Sequence, residues 1–256
     1  MQNSCLIPKK IFQTHKSKKY ILNNQQLLKA TDTWRKRENF TYYFYDDLNC
    51  DLFIKENFPN VYEAYKKCPI NVMKADIWRY CIIYKYGGIY ADADTILHKN
   101  PMIFIKPKQL VVAPENNTHF CQWVFAAQPN SPVLKSVIDL CVKRLLSAKE
   151  IKGKDAIHYF TGPGVFTDGI VRYLLKTFKK IPKQLSFLNQ YKEESFEKKM
   201  SGNIFKYEEI LIPTIKIFKH AQFHKKKTHA GDGIVEHLFS GQLEDGWIKE
   251  RDKKLL

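Results

Sequence analysis

The stretch that decides the fold is Lys74-Ala-Asp-Ile-Trp-Arg-Tyr-Cys-Ile-Ile-Tyr-Lys-Tyr-Gly-Gly-Ile-Tyr-Ala-Asp-Ala-Asp94. Its first part belongs to a helix predicted from Pro69 to Tyr86, which the glycine pair Gly87-Gly88 ends in the manner of a helix C-terminus. The short apolar run from Ile89 to Ala93 is then a predicted strand. The stretch therefore predicts a helix that turns sharply into a strand, with two aspartates at the strand's end.

Strands and helices alternate along the rest of the chain. The other predicted elements are strands at 7–13, 40–45, 110–113 and around 210–218, and helices at 25–37 and 133–146. Such alternation predicts an α/β sandwich with a largely parallel sheet. No internal repeat or low-complexity linker divides the 256 residues. We therefore expect a single domain over residues 1–256, in which residues 190–256 form a C-terminal extension that folds back over it.

The composition is that of a folded, strongly basic protein. Hydrophobic residues make up 44% and aromatic residues 14%, which excludes an intrinsically disordered chain. The 42 basic residues exceed the 26 acidic ones, giving a net charge of +16, and only 6 of the bases are arginine. Because base and phosphate readers rely on arginine, we expect no nucleic-acid partner. The charge suits a membrane surface, a nucleotide or a charged glycan.

The cysteines and the N-terminus bear on the cellular compartment. The six cysteines are scattered with no CxxC pair, which disfavours a disulfide scaffold and a zinc ribbon. The segment from Met1 to Lys10 lacks the apolar region of a signal peptide, and no segment reaches the roughly 18 apolar residues of a membrane span. We expect a cytoplasmic protein, with peripheral contact to a membrane left open.

Two pairs of charged residues in the decisive stretch are candidates for chemistry. Asp76 and Arg79 are three residues apart on the predicted helix and so share a face. If the strand continues to Asp94, Asp92 and Asp94 point the same way, and two such carboxylates can hold Mg²⁺ or Mn²⁺ against substrate phosphates. The alternative is a solvated acidic loop with a structural Asp–Arg pair. The double glycine and the apolar strand before the aspartates favour a site.

Six ordered segments of the chain resemble glycosyltransferase family 32, the glycosyltransferases with a sugar-binding region containing DXD. The later segments resemble its initiation-specific α-1,6-mannosyltransferase branch. The segments are Ile7–Gln13, Ala75–Arg79, Gly87–Asp94, Phe120–Ala127, Thr161–Asp168 and Glu236–Gly241. Two departures stand out: Phe12 replaces the family's histidine, and residues 242–246 separate Gly241 from Trp247 where the family has Ser-Trp.

The resemblance implies a GT-A-like nucleotide-sugar-binding fold, with a mainly parallel central sheet flanked by helices. It implies a metal-dependent retaining transfer of a hexose from a nucleotide-sugar donor to a glycan or another hydroxyl acceptor. GDP-mannose is the first expectation for the donor, and a UDP-hexose is the second. The alternative from another class is a non-catalytic protein that binds a sugar or a polyanion.

The resemblance also implies roles for individual residues. Asp92, Asp94 and His237 would hold Mn²⁺ or Mg²⁺, with His220, His224 and His229 as rivals for the histidine. Asp76, Arg79 and Asp94 would be catalytic. The expected donor-binding residues are Gln13, Asp76, Arg79, Tyr90, Asp92, Gly162 and Trp247. Thr161-Gly-Pro-Gly164 is predicted to be a turn, and Gln122 and Trp123 are either core or acceptor-site residues.

Overall fold

The computed structural model describes residues 6–115, 119–189, 191–193, 210–211, 214–218, 233–240 and 246–255. Gly241 and the three rival histidines, His220, His224 and His229, lie outside the described residues. Nine strands and nine α-helices are found in the described part of the chain.

The strands are short and mostly buried. They are β1 (Lys10–Thr14), β2 (Thr41–Tyr45), β3 (Gly88–Ala91), β4 (Thr95–Leu97), β5 (Leu110–Val112), β6 (Val124–Ala127), β7 (Ile210–Leu211), β8 (Ile215–Ile217) and β9 (Val235–His237).

The helices are concentrated between the strands, as the alternation predicts. They are α1 (Lys18–Asn23), α2 (Gln25–Arg35), α3 (Asp47–Asn57), α4 (Pro59–Lys66), α5 (Asn71–Tyr86), α6 (Pro132–Ser147), α7 (Ala156–Phe160), α8 (Pro163–Thr177) and α9 (Trp247–Leu255).

Seven strands form one sheet in the order β2-β1-β3-β6-β5-β8-β7. The strand pairs β1–β2, β1–β3 and β5–β8 are parallel, whereas β6 is antiparallel to both β3 and β5, and β7 is antiparallel to β8. Five of the seven strands therefore run in the same direction. The expected α/β fold with a mainly parallel sheet is confirmed.

The two faces of the sheet are buried in two different cores. Alternate side chains of a strand point to opposite faces, so Tyr90 enters the larger core with helices α3 to α8 while its neighbour Ile89 enters the smaller one. The smaller core contains Trp34 of α2, Phe104 and residues of β4 and β9. The sheet is thus flanked by helices on both faces, with the thicker helical layer on one side.

The turn between α5 and β3 depends on its two glycines. Gly87 and Gly88 have φ angles of +63° and +113°, a region that side chains rarely adopt. A Cβ atom on Gly88 would also lie 2.7 Å from the carbonyl oxygen of Lys10 in the neighbouring strand. The double glycine therefore lets α5 reverse directly into the sheet beside β1.

Two expected elements are wrong in detail. Strand β3 ends at Ala91 rather than Ala93, because the carbonyl of Asp92 accepts hydrogen bonds from the backbone N–H (3.2 Å) and hydroxyl (2.6 Å) of Thr95, which close a turn. The segment Thr161–Gly164 is not a simple turn, since Pro163 begins α8. Proline is well suited to the first turn of a helix, where its missing N–H is not needed.

The described parts of the C-terminal extension lie against the body of the domain. Strand β9 pairs with β4 in a separate two-stranded antiparallel sheet, with His237 opposite Thr95. The N–H of Gly153 donates to the carbonyl of Leu255, the last described residue of α9. Among the described helices, none combines the length and the apolar character needed to cross a bilayer. The cytoplasmic location stays a prediction.

Gly169 provides a test of the packing between α6 and α8. A Cβ atom at Gly169 would lie 2.6 Å from the Cα atom of Val137. Because backbone atoms cannot yield as a side chain can, we expect Gly169→Ala to lower the free energy of unfolding by about 1–3 kcal/mol, despite alanine's higher helix propensity. Urea unfolding measures this free energy of unfolding. The control is Leu175→Ala on an exposed position of α8, expected to change it by about 0.5 kcal/mol or less.

Candidate active site

The candidate site lies at one edge of the main sheet. Strands β1, β3 and β5 run in the same direction, so their carboxyl ends share this edge, where α/β sheets commonly bind ligands. A cavity of about 370 Å³ opens there. Its walls come from the segments after β1 and β3, from α5, and from residues within 237–240 and 246–250 of the C-terminal extension.

Asp92, Asp94 and His237 form a cluster at the base of this cavity. Their possible ligand atoms all lie within 4.8 Å of one another. The Nε2 atom of His237 is 3.7 Å from Oδ2 of Asp92 and 3.5 Å from Oδ1 of Asp94. The pairing of β9 with β4 delivers His237 to the two aspartates, although about 140 residues separate them in sequence. Two carboxylates and an imidazole are a suitable donor set for a divalent cation.

The Asp94 side chain is held from the C-terminal extension. Its Oδ2 atom accepts hydrogen bonds from the backbone N–H (2.9 Å) and the hydroxyl (2.8 Å) of Ser240, which leaves Oδ1 facing His237. Phe239 adopts a left-handed conformation, with φ of +55°, between His237 and Ser240. Sequence reasoning missed Ser240 as an individual residue, although the segment Glu236–Gly241 contains it.

Arg79 connects the cluster to the interior of the protein. Its guanidinium lies 3.3 Å from Oδ1 of Asp92 and 3.1 Å from Oδ1 of Asp76, and it packs over the ring of Tyr90. The Tyr90 hydroxyl donates a hydrogen bond to Asp92. Burial alone would raise the pKa of Asp92, but the charge of Arg79 and hydrogen bonds from His237 and Tyr90 hold it below its ordinary value. Asp92 is therefore held ionised.

Asp76 lies behind Arg79 and does not line the cavity. Only 1% of this residue is exposed, and its carboxylate accepts hydrogen bonds from the Thr161 hydroxyl (2.9 Å) and the Gln122 amide (3.2 Å). Burial raises the pKa of Asp76 to about 6, against the opposing effect of Arg79. Asp76 thus orients Arg79 from the side away from the cavity.

The remaining sequence-predicted residues fall into two groups. Tyr90 and Trp247 line the cavity, Trp247 from the first turn of α9. Gln13 is fully buried and does not line it: its amide N–H donates to the Asp92 carbonyl (3.0 Å), and its Oε1 accepts from Tyr42 (2.9 Å). Gly162 also lies outside the lining, where a Cβ atom would be 2.9 Å from the carbonyl oxygen of Ile157.

One end of the cavity contains residues that no motif indicated. His15 and Tyr20 stack with ring centroids 4.8 Å apart, and the Lys16 ammonium lies 3.6 Å from the centre of the Tyr20 ring. All three residues line the cavity just after β1. The sequence signal was a basic and aromatic run following a predicted strand, which is too common to single out by itself.

The comparisons with known proteins agree with this geometry. Residues 3–112 match the family model "Glycosyltransferase sugar-binding region containing DXD motif". The chain is 26% identical to an initiation-specific alpha-1,6-mannosyltransferase of Candida albicans, over 96% of this chain and 74% of the relative. It is 27% identical to the protein of that name from Schizosaccharomyces pombe, over 93% of this chain and 64% of the relative.

A solved structure has the same fold. The PaToxG glycosyltransferase superposes with a TM-score of 0.52 and 20% sequence identity, covering 72% of this chain and 76% of that one. Together with the family match, this similarity confirms the resemblance that the ordered motifs indicated. The chain is a glycosyltransferase, and its residues 3–112 match the sugar-binding region that contains the DXD motif.

Proposed function

We propose that this glycosyltransferase uses a divalent metal ion to transfer a hexose from a nucleotide sugar to a hydroxyl of a glycan acceptor, with retention at the anomeric carbon. The observation that carries the proposal is the Asp92–Asp94–His237 cluster at the base of the cavity. GDP-mannose is the proposed donor, because the relatives that cover most of the chain are named as mannosyltransferases.

The three clustered residues suit the metal that the proposal requires. Asp92 and Asp94 offer carboxylate oxygens, which Mg²⁺ and Mn²⁺ both accept, and the imidazole of His237 favours Mn²⁺ over Mg²⁺. Arg79 and Ser240 already fix one oxygen of each carboxylate, so the other oxygens are oriented before any ion binds. The bound ion would neutralise charge on the departing diphosphate.

The side chains around the cluster support a donor bound along the sheet edge. The stacked rings of His15 and Tyr20 offer a surface for a nucleobase, and Lys16 supplies positive charge for phosphate. Arg79 adds a buried, fixed positive charge beside Asp92, where charge develops when the diphosphate leaves. Trp247 lies on the extension side of the cavity and helps to exclude water from the bound donor.

Retention is proposed from the resemblance to glycosyltransferase family 32, and the two carboxylates of the DXD motif bear on the route by which it occurs. A double displacement needs a carboxylate free to attack carbon, but Asp92 pairs with Arg79 and Asp94 accepts two hydrogen bonds from Ser240. We therefore favour a front-face transfer. In this route the bond between the anomeric carbon and the phosphate oxygen breaks, the acceptor oxygen bonds to the same face, and the leaving phosphate takes the acceptor's proton.

Removal of a metal ligand should separate metal binding from folding. We expect Asp94→Asn and His237→Ala to weaken Mn²⁺ binding, measured by electron paramagnetic resonance of free Mn²⁺, and to reduce donor hydrolysis by roughly 100-fold or more. Asp139→Asn, an exposed carboxylate on α6, is the matched control and should behave as the unmodified protein. Unchanged Mn²⁺ binding in both ligand variants would refute the proposed metal site.

The buried pair of Asp76 and Arg79 allows a second test. Asp76→Asn keeps the shape and one hydrogen-bond acceptor but removes the charge that orients Arg79. We expect turnover to fall by roughly 100-fold, the scale of a lost positioning group, with a smaller change in donor KM. The control is Asp32→Asn, which breaks exposed pairs with Arg35 and Lys36. Turnover within a factor of about two in Asp76→Asn would mean that the pair is only structural.

A further inference from the structure

A second group of ionisable side chains lies at the same sheet edge, outside the cavity lining. Glu115 follows β5, and its backbone N–H donates to the carbonyl of His119 at 2.9 Å. An isolated antiparallel bridge between Pro114 and Phe120 makes a second connection between the segment after β5 and the segment before β6. The backbone N–H of Phe120 donates to the Thr167 hydroxyl at 2.8 Å, which fastens the connection to α8.

His158 of α7 completes the group. The rings of His119 and His158 are 4.3 Å apart and nearly perpendicular, at 85°. His119 is almost fully buried, whereas Glu115 and His158 are half-buried and so have surface open to solvent. We call Glu115, His119 and His158 the edge cluster.

The order of strands places the edge cluster on the far side of the metal-binding residues. Across the sheet, β1 is followed by β3, then β6, then β5. Three groups of residues therefore follow one another along the edge. They are His15 and Tyr20 after β1, the two aspartates after β3, and Glu115 after β5. Neighbouring strands are about 4.8 Å apart, so the ends of β3 and β5 are separated by about 10 Å, or roughly the length of one hexose and a bond.

The electrostatic surroundings of Glu115 agree with this placement. Burial and the negative charge of Asp92 raise the pKa of the Glu115 carboxyl group. The charges of His237, His158 and Arg79 lower this pKa. Three of these four groups belong to the metal-binding end of the cavity, and none belongs to its His15–Tyr20 end. Glu115 therefore lies within electrostatic reach of the metal-binding end of the cavity.

We propose that the edge cluster binds the hydroxyl groups of the acceptor sugar. This inference rests on the proposed function. A hexose held by its diphosphate at Asp92 and Asp94 lies beyond the diphosphate along the sheet edge. The acceptor sugar must therefore lie at that end of the edge, with its hydroxyl reaching the face of the anomeric carbon that the phosphate leaves. The Glu115 carboxylate can accept hydrogen bonds from two neighbouring hydroxyls, and His158 can donate or accept one. The cluster is an acceptor-positioning group that leaves donor activation to the metal-binding residues.

The test separates transfer to water from transfer to a sugar. Two rates are measured with GDP-mannose and Mn²⁺. The first is donor hydrolysis without an acceptor, and the second is transfer to methyl α-mannoside, methyl α-glucoside or methyl α-galactoside. For Glu115→Gln and His158→Gln we expect hydrolysis and donor KM within about two-fold of the unmodified protein. The acceptor KM should rise about ten-fold or more, the effect of a lost hydrogen bond to a charged group. Glu63→Gln, an exposed carboxylate on α4, is the matched control.

The possible outcomes distinguish this inference from the proposed function. Three results would overturn the edge cluster as an acceptor site. The first is unchanged transfer in both variants, and the second is an equal loss of hydrolysis and transfer in them. The third is an unmodified protein that hydrolyses the donor but transfers to none of the three glycosides. Unmodified protein that hydrolyses no nucleotide sugar would overturn the proposed function itself. Retained hydrolysis in the variants also shows that they are folded.

Discussion

The guanidinium of Arg79 is buried between the carboxylates of Asp76 and Asp92, and the candidate site is arranged around this contact. A buried charge without partners is very costly, so Arg79 fixes the distance between helix α5 and the turn after β3. Hydrogen bonds from Thr161 and Gln122 hold Asp76 in turn. The pair thus anchors the turn that contains Asp92 and Asp94 to the larger core, and this contact sets the geometry of the candidate metal ligands.

A second constraint comes from the backbone of the same turn. The Asp92 carbonyl accepts hydrogen bonds from Gln13 and Thr95. The backbone N–H of Asp92 donates to the Trp123 carbonyl at 2.7 Å. Trp34 donates to the Thr95 carbonyl and hydroxyl, both at 3.1 Å. Strand β4 therefore starts at a fixed position, and its pairing with β9 brings His237 to the aspartates. The site is thus built from chain segments that lie far apart in the sequence.

Much of the fold and of the candidate site could be predicted from the sequence, because the motifs that indicate them are local. The helix–glycine–strand pattern of residues 74–94 predicted α5 and β3, and the ordered motifs predicted that His237 would join Asp92 and Asp94. The sequence could not show that Gln13 turns its amide inward to Asp92, since that depends on the neighbouring strand. Nor could it single out Glu115, whose place at the site edge follows from the antiparallel insertion of β6 between β3 and β5.

A metal ion held by Asp92 and Asp94 would activate a nucleotide sugar for transfer. The most direct measurement is release of nucleotide from a panel of GDP- and UDP-hexoses by the unmodified protein, followed by chromatography, in EDTA and after addition of Mn²⁺. We expect release of nucleotide from GDP-mannose that EDTA abolishes and Mn²⁺ restores. Release at the same rate in EDTA, or no release from any donor with Mn²⁺ present, would contradict it.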